Sequence, residues 1–136
     1  MYKRQDRHRE SFLELIDEYV DIVFCNESEV LSLFKNDKLS NLKEELSSLC
    51  ELVIVTLGGN GSLIVNKNNV EIIESITKGK IIDTTGAGDI YAGGFIHGLI
   101  NNCSLKKCGE IASICAGQII TQLGSRSDID LKELIK

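Results

Sequence analysis

Residues 81–95 read IIDTTGAGDIYAGGF, and this stretch decides how the chain is expected to fold and what it can bind. Residues 80–82 are predicted to form a short strand, and a helix is predicted from Gly86 to about Asn101. A glycine-rich turn that enters a helix presents free backbone N–H groups and the positive end of the helix dipole. Such a turn binds anions, phosphate above all, and glycine at positions 86 and 88 lets the backbone approach a ligand closely.

Asp89 is the unusual residue of this stretch because a carboxylate repels phosphate. It has a use there if it takes the proton from a hydroxyl group that attacks the phosphorus atom. The simpler alternative is that Asp89 caps the helix start, where aspartate is favoured. The isolated motif leaves both open. Gly93 and Gly94 lie inside the predicted helix, where glycine is unfavourable, and we expect them to allow close packing against a neighbouring element.

Length and composition restrict the class of protein. The 136 residues, 43% of them hydrophobic, predict at most one domain with a real core. No apolar run approaches the roughly 18 residues of a membrane span, and the charged start has no signal-peptide core. A net charge of −5 argues against a nucleic-acid surface. The five cysteines lack metal-site spacing, so we expect reduced, mostly buried thiols in a cytoplasmic protein.

Predicted strands alternate with predicted helices along the chain. The strands are expected at 21–25, 52–56, 62–65, 70–74 and 80–82, and the helices at 6–19, 26–34, 39–50, 86–101, 104–123 and 130–136. In the first helix an apolar face is predicted from Phe12, Leu15, Ile16 and Tyr19. This alternation predicts an α/β fold with a mostly parallel central sheet and a hairpin-like edge at 62–74. Such sheets bind ligands at the carboxyl ends of their strands.

Two further strand ends carry polar or glycine-rich sequences. After residues 52–56 the pattern Thr56-x-Gly58-x-x-Gly61 can wrap a nucleotide, although an ordinary glycine-rich turn explains it as well. After residues 21–25 the pair Asn26 and Glu29 lies on one face of a helix start and could hold the water shell of Mg²⁺. The alternative is a capping box, and Glu29 could serve both purposes. Together with the turn at 86–89, the three strand ends offer the parts that phosphoryl transfer requires.

The sequence resembles the PfkB/ribokinase family of sugar and nucleoside kinases. DTTGAGDIYAGGF (83–95) resembles the family's C-terminal signature, NESE (26–29) its Asn-x-x-Glu motif, and TLGGNG (56–61) its Thr-x-Gly-x-x-Gly motif. ASICAGQIITQLGSR (112–126) is similar to the helix near the adenine and a monovalent-cation site. The similarity extends from about residue 21 to 126 and is greatest to the adenosine-kinase-like branch.

This resemblance implies a ribokinase-like three-layer α/β/α fold and ATP-dependent phosphorylation of a sugar or nucleoside hydroxyl. It implies that Asp89 is the catalytic base and that the backbone N–H groups of Gly86, Ala87 and Gly88 form the anion hole. The remaining implied contacts are ATP with Thr56, Gly58, Gly61 and, near the adenine, Ser113; Mg²⁺ through water with Asn26 and Glu29; and a monovalent cation such as K⁺ with Asp83. Ser113 stands where many relatives have Asn.

The chain departs from this family in length, because family members are about twice as long. We therefore expect residues 1–136 to be the C-terminal, nucleotide-binding part of a kinase domain whose N-terminal substrate and lid half is absent. An incomplete sheet would expose an unpaired edge, so the isolated piece is expected to associate or to be poorly soluble. A dimer is compatible with this interpretation, whereas nucleic-acid and membrane partners are not expected.

Three functions remain under comparison. The first is a sugar or nucleoside kinase for which this chain supplies the ATP site, the anion hole and the catalytic base. The second is a nucleotide-binding fragment without catalysis that acts with a partner chain. The third is a vitamin kinase of the same superfamily, such as a pyridoxal or hydroxymethylpyrimidine kinase. The Asp-Thr-Thr before Gly86 and the Gly-Gly at 93–94 favour the first over the third.

Overall fold

The structure, a computed structural model, describes residues 2–67, 69–75 and 86–119. The helices are α1 (Tyr2–Tyr19), α2 (Glu27–Leu33), α3 (Lys43–Leu49), α4 (Ala87–Ile100) and α5 (Leu105–Ile119). The strands are β1 (Ile22–Asn26), β2 (Leu52–Thr56), β3 (Ser62–Asn66) and β4 (Asn69–Ile73), and short 3₁₀ turns occupy Leu39–Asn41 and Gly58–Asn60. The predicted strand at 80–82, the end of the helix predicted over 104–123 and the helix at 130–136 lie outside the described residues.

The described chain divides into two compact units. The first unit contains the residues up to Thr56 together with Leu63–Glu71, and the second contains Leu57–Ser62 together with the residues from Ile72 onward. Within the described ranges, no helix combines the length and apolar character needed to span a bilayer. All five cysteines are free thiols; Cys108 and Cys115 are buried, and the other three are only half-buried.

The four strands form one sheet in the order β1-β2-β3-β4. β1 and β2 run parallel, with Ile22 opposite Leu52 and Asn26 opposite Thr56. Val53, Ile54 and Val55 are fully buried, as the continuous apolar run of β2 predicts for a central strand. The connections from β2 to β3 and from β3 to β4 are too short for parallel crossovers, so β3 and β4 form the predicted hairpin-like edge. The predicted α/β class is confirmed.

The helices of the first unit cover the sheet with leucine and valine side chains. Val30 of α2 and Leu46 of α3 are fully buried, and α2 and α3 contact β1 and β2. The helix predicted over 39–50 is interrupted, because Leu42 leaves helical geometry at φ −110° and ψ 15° and separates the 3₁₀ turn from α3. Leu42 itself is buried, so the interruption places one more leucine in the core.

The predicted first helix is present, but it starts earlier than expected and most of its apolar face is not covered. α1 starts at Tyr2 rather than at Asp6, and only Ile16 of its predicted apolar face is buried, with 3% of its surface exposed. Phe12, Leu15 and Tyr19 are 53%, 57% and 77% exposed. Helical spacing identifies residues that share a face, but burial requires another element to cover that face. Among the described elements α1 packs against α3, through a narrow part of its surface.

The second unit contains α4 and α5, which are joined by a short connection. The two helices pack closely because two glycines of α4 lack side chains. A Cβ atom on Gly94 would lie 3.0 Å from the Cα of Ala112, and one on Gly98 would lie 2.8 Å from the Sγ of Cys108. The packing role expected for Gly94 is therefore confirmed. For Gly93 it was wrong in the described part of the chain, where a Cβ at this position would meet no neighbouring element within 4 Å. Gly98 was not predicted.

Candidate functional site

The first unit brings together the predicted residues at the carboxyl ends of β1 and β2. Asn26 and Thr56 are the last register partners of the two parallel strands. The Thr56 hydroxyl donates a hydrogen bond to the Cys25 carbonyl oxygen at 3.4 Å, which ties the two strand ends together. Thr56 is half-buried and Asn26 is exposed. These residues therefore lie at the sheet edge where α/β proteins bind ligands.

Asn26 and Glu29 form the capping box that the sequence allowed as an alternative. The Glu29 backbone N–H donates to Asn26 Oδ1 at 2.8 Å, and the Asn26 backbone N–H donates to Glu29 Oε1 at 3.1 Å. Both side chains are exposed, and an ionised carboxylate has further acceptor sites beyond the one used in the box. Capping and water-mediated binding of a hard cation are thus compatible at Glu29. The described ranges hold no group of three or more His, Cys, Asp or Glu side chains placed to bind a metal directly.

Cys25 lies beside this pair but is chemically passive. Burial, with smaller contributions from Glu29 and Cys50, raises the pKa of its thiol to about 12. The Cys25 Sγ donates weakly to the Ile54 carbonyl oxygen at 3.6 Å. Because the thiolate is the reactive form, Cys25 is not a nucleophile near neutral pH.

In the second unit, the glycine-rich loop after β2 is closed by its own backbone. The Leu57 N–H donates to the Gly61 carbonyl oxygen at 2.8 Å, and Gly58 and Gly61 have φ values of 59° and 92°. A Cβ atom on Gly61 would collide with the Ile73 carbonyl oxygen. Gly61 is therefore required by the fold itself. Gly58 is exposed, and apart from its chain neighbours no described residue has an atom within 4 Å of an added Cβ, so its backbone is accessible to a ligand.

The start of α4 has the geometry expected of an anion site. Gly86 is the N-cap, with φ 78° in the left-handed region, and as a glycine it has no side chain that could cap the helix. The first helical hydrogen bond runs from the Ile90 N–H to the Gly86 carbonyl oxygen at 3.0 Å. The N–H groups of Ala87, Gly88 and Asp89 therefore have no partner within the helix. Gly88 is exposed, and an added Cβ would meet no atom of a neighbouring described segment within 4 Å.

Asp89 lies in the first turn of α4 and its side chain is exposed. The N-cap of α4 is Gly86, so the alternative prediction that Asp89 caps this helix was wrong. The carboxylate still interacts favourably with the helix dipole. It is free to approach a ligand bound at the helix start.

For two predicted site residues the structure gives little support for a ligand contact or does not describe the residue. Ser113 lies on α5 with only 6% of its surface exposed, so it offers little area for the predicted contact with adenine. Asp83, assigned to the monovalent cation, lies outside the described residues.

A polar contact in the second unit does not follow from any sequence pattern. The Ser62 and Tyr91 hydroxyl oxygens are 2.5 Å apart, and both residues are buried. Burial raises the pKa of Tyr91, and the hydrogen bond to Ser62 partly offsets that rise. A tyrosine on the buried side of a helix signals that its hydroxyl needs a partner, but the spacing along the chain does not identify Ser62 as that partner.

Comparison with known proteins shows which family this chain is similar to. The family model described as pfkB family carbohydrate kinase matches residues 2–132. A ribokinase from Dictyostelium discoideum is 37% identical over 129 residues, which cover 80% of this chain and 41% of that protein. A nucleoside kinase from Methanocaldococcus jannaschii is 34% identical over 123 residues, which cover 89% of this chain and 39% of that protein.

The fold agrees with that of a solved kinase structure. The adenosine kinase from Sinorhizobium meliloti superimposes with a TM-score of 0.89 at 36% sequence identity, over 94% of this chain and 39% of that one. The chain thus spans about two fifths of the length of these relatives.

Proposed function

This chain belongs to the pfkB family of carbohydrate kinases, and we propose that it carries the ATP site, anion hole and catalytic base of an enzyme that phosphorylates a sugar or nucleoside hydroxyl. The observation that carries the proposal is the start of α4. There a left-handed glycine, an N-cap position without a side chain and an exposed carboxylate at Asp89 occur together. We further propose that residues 1–136 correspond to the C-terminal, nucleotide-binding part of the kinase domain.

In this mechanism the start of α4 performs two tasks. The backbone N–H groups at Gly86, Ala87 and Gly88 hold the oxygens of the transferred phosphoryl group as negative charge accumulates. The Asp89 carboxylate accepts the proton of the acceptor hydroxyl while that oxygen bonds to phosphorus and ADP leaves. Positioning and charge stabilisation supply most of the rate, because phosphoryl transfer needs little covalent chemistry from the protein.

The strand ends would hold the nucleotide and its metal ion. We assign Thr56, Gly58 and Gly61 to ATP, and the exposed oxygens of Asn26 and Glu29 to Mg²⁺ through water, a donor set that suits this cation. When bound, Mg²⁺ neutralises phosphate charge. A K⁺ contact at Asp83 and an adenine contact at Ser113 are part of the same proposal.

The nucleotide site can be tested on this chain by titrating it with ATP and Mg²⁺ in a calorimeter. Gly88→Ala places a methyl group at the proposed phosphate position, in space that no described residue occupies, so the fold should persist while ATP binds at least about tenfold more weakly, or roughly 1.4 kcal/mol. Gly93→Ala makes the same change in equally open space on the same helix and should bind like the wild type. Equal affinity in both variants would remove the start of α4 from the phosphate site.

The catalytic assignment can be tested in the complete kinase with Asp89→Asn. This variant should retain ATP binding and lose about 10²–10⁴-fold in turnover, the usual contribution of a general base. ADP release would be followed with ribose, fructose and adenosine as acceptors. Near-normal turnover would exclude Asp89 as the base. Tight ATP binding without transfer to any acceptor would favour the non-catalytic nucleotide-binding module.

A further inference from the structure

The Ser62–Tyr91 hydroxyl pair connects two segments of the second unit that the proposed function uses separately. Ser62 is the first residue of β3 and directly follows Gly61, the last glycine of the nucleotide loop. Tyr91 lies on α4, two residues after Asp89. The two hydroxyl oxygens are 2.5 Å apart, with Ser62 fully buried and Tyr91 5% exposed.

Neighbouring groups restrict the positions of both the Tyr91 and the Ser62 side chains. The Tyr91 ring stacks on Phe95, with centroids 6.4 Å apart and planes inclined by 25°. Ser62 follows a loop whose end cannot shift freely, because Gly61 packs against the Ile73 carbonyl group and its own carbonyl accepts from the Leu57 N–H. A change in the position of Ser62 is therefore transmitted to the loop at 57–61.

We propose that this hydrogen bond is a clamp that holds the loop Leu57–Ser62 in register with the first turn of α4, and that Ser62 and Tyr91 are positioning residues for nucleotide binding. The proposal rests on the function proposed above. An apolar pair of similar size could fill the same space, but it would lack the directional bond that selects one register. Both hydroxyls are buried, so neither can exchange its partner for bulk water without opening the structure.

The clamp can be tested with Tyr91→Phe, Ser62→Ala and the double variant. Ser104→Ala is the matched control, because it also removes one hydrogen-bonded hydroxyl from the second unit. The Ser104 hydroxyl accepts from the Lys107 backbone N–H at 3.2 Å. Hydrogen exchange of peptides covering 57–61 reports on the loop directly, since the Leu57, Asn60 and Gly61 N–H groups are bonded within it. Calorimetric titration with ATP and Mg²⁺ reports on the nucleotide site.

Each single variant should accelerate exchange of the loop severalfold relative to Ser104→Ala and weaken ATP binding by about 3–10-fold. The double variant should resemble either single variant, since both remove the same bond. The clamp would be overturned if the single variants exchanged their loop amides and bound ATP as the Ser104→Ala control does. It would also be overturned if the effects of the two single substitutions added up in the double variant. If the wild-type chain binds no ATP, the proposed function fails, and loop exchange alone then decides the clamp.

Discussion

Gly98 of α4 provides a direct test of how the second unit is packed. Replacing it with alanine would place a Cβ atom 2.8 Å from the Cys108 Sγ, 3.0 Å from the Cys108 Cα and 3.2 Å from its Cβ. Two of these three atoms belong to the fixed part of residue 108, so rotation of the thiol can relieve the shortest contact but leaves the other two tight. Gly93→Ala adds the same methyl group to the same helix, and among the described residues no atom outside its own helical turns lies within 4 Å of it.

The magnitude follows from two opposing terms. Both variants gain about 1 kcal/mol of helix propensity, because alanine replaces glycine inside a helix. Only Gly98→Ala incurs overpacking, which typically costs about 1–3 kcal/mol. Gly93→Ala should therefore be more stable than the wild type by up to about 1 kcal/mol. Gly98→Ala should be less stable than Gly93→Ala by about 1–3 kcal/mol, since the propensity gain cancels in the difference.

Urea unfolding of this chain, followed by circular dichroism, measures both free energies of unfolding, and an unchanged slope with urea would show that the variants unfold from similar states. A Gly98→Ala variant as stable as Gly93→Ala would refute the close α4–α5 contact. Adding Cys108→Ala to Gly98→Ala should recover only part of the loss, because the contacts to the Cα and Cβ of residue 108 remain.

Three further predictions concern other parts of the chain. Asn26→Ala should lower the free energy of unfolding by about 1 kcal/mol in a urea titration by removing the cap of α2, while Asn26→Asp should retain it. Gly61→Ala should be far more destabilising in the same titration than Gly58→Ala: both glycines have positive φ, but only at 61 would the methyl group collide with the Ile73 carbonyl. Burial raises the pKa of the Cys25 thiol from 9.0 to about 12 in the folded chain. The protonated thiol therefore makes its full contribution to the free energy of unfolding below pH 9, and this contribution is lost as the pH rises toward 12. Cys25→Ala should reduce that loss in thermal unfolding measured across this range; an unchanged pH dependence would contradict the burial of the thiol.

Local sequence signals are sufficient where the cause of a structural feature is itself local. The run Leu52–Thr56 is predicted as a buried strand and is one, because five consecutive apolar or β-branched residues suit a central strand. The Asn26–Glu29 cap and the helix after Gly86 follow from residues within one turn. For the same reason the three strand-end motifs can be recognised as candidates from the order of residues alone.

Features that depend on contacts between distant residues were not predicted. The exposure of Phe12 and Leu15 depends on whether another element covers α1, which helical spacing does not report. Gly98 is important because Cys108 of α5 lies against it, and the Ser62–Tyr91 bond joins residues 29 positions apart. The roles of Asp89, Asn26 and Glu29 in phosphoryl transfer likewise depend on bound ligands, so they stay predictions.

The capping box at Asn26 also has an entropic consequence for any ligand that uses Glu29. A free glutamate side chain loses up to about 2 kcal/mol of rotamer freedom when it is held in one conformation. The hydrogen bond from the Asn26 N–H to Oε1 imposes that order when α2 forms. A cation shell that binds the remaining carboxylate oxygen therefore meets a side chain already held in place, and less ordering is left to the binding step.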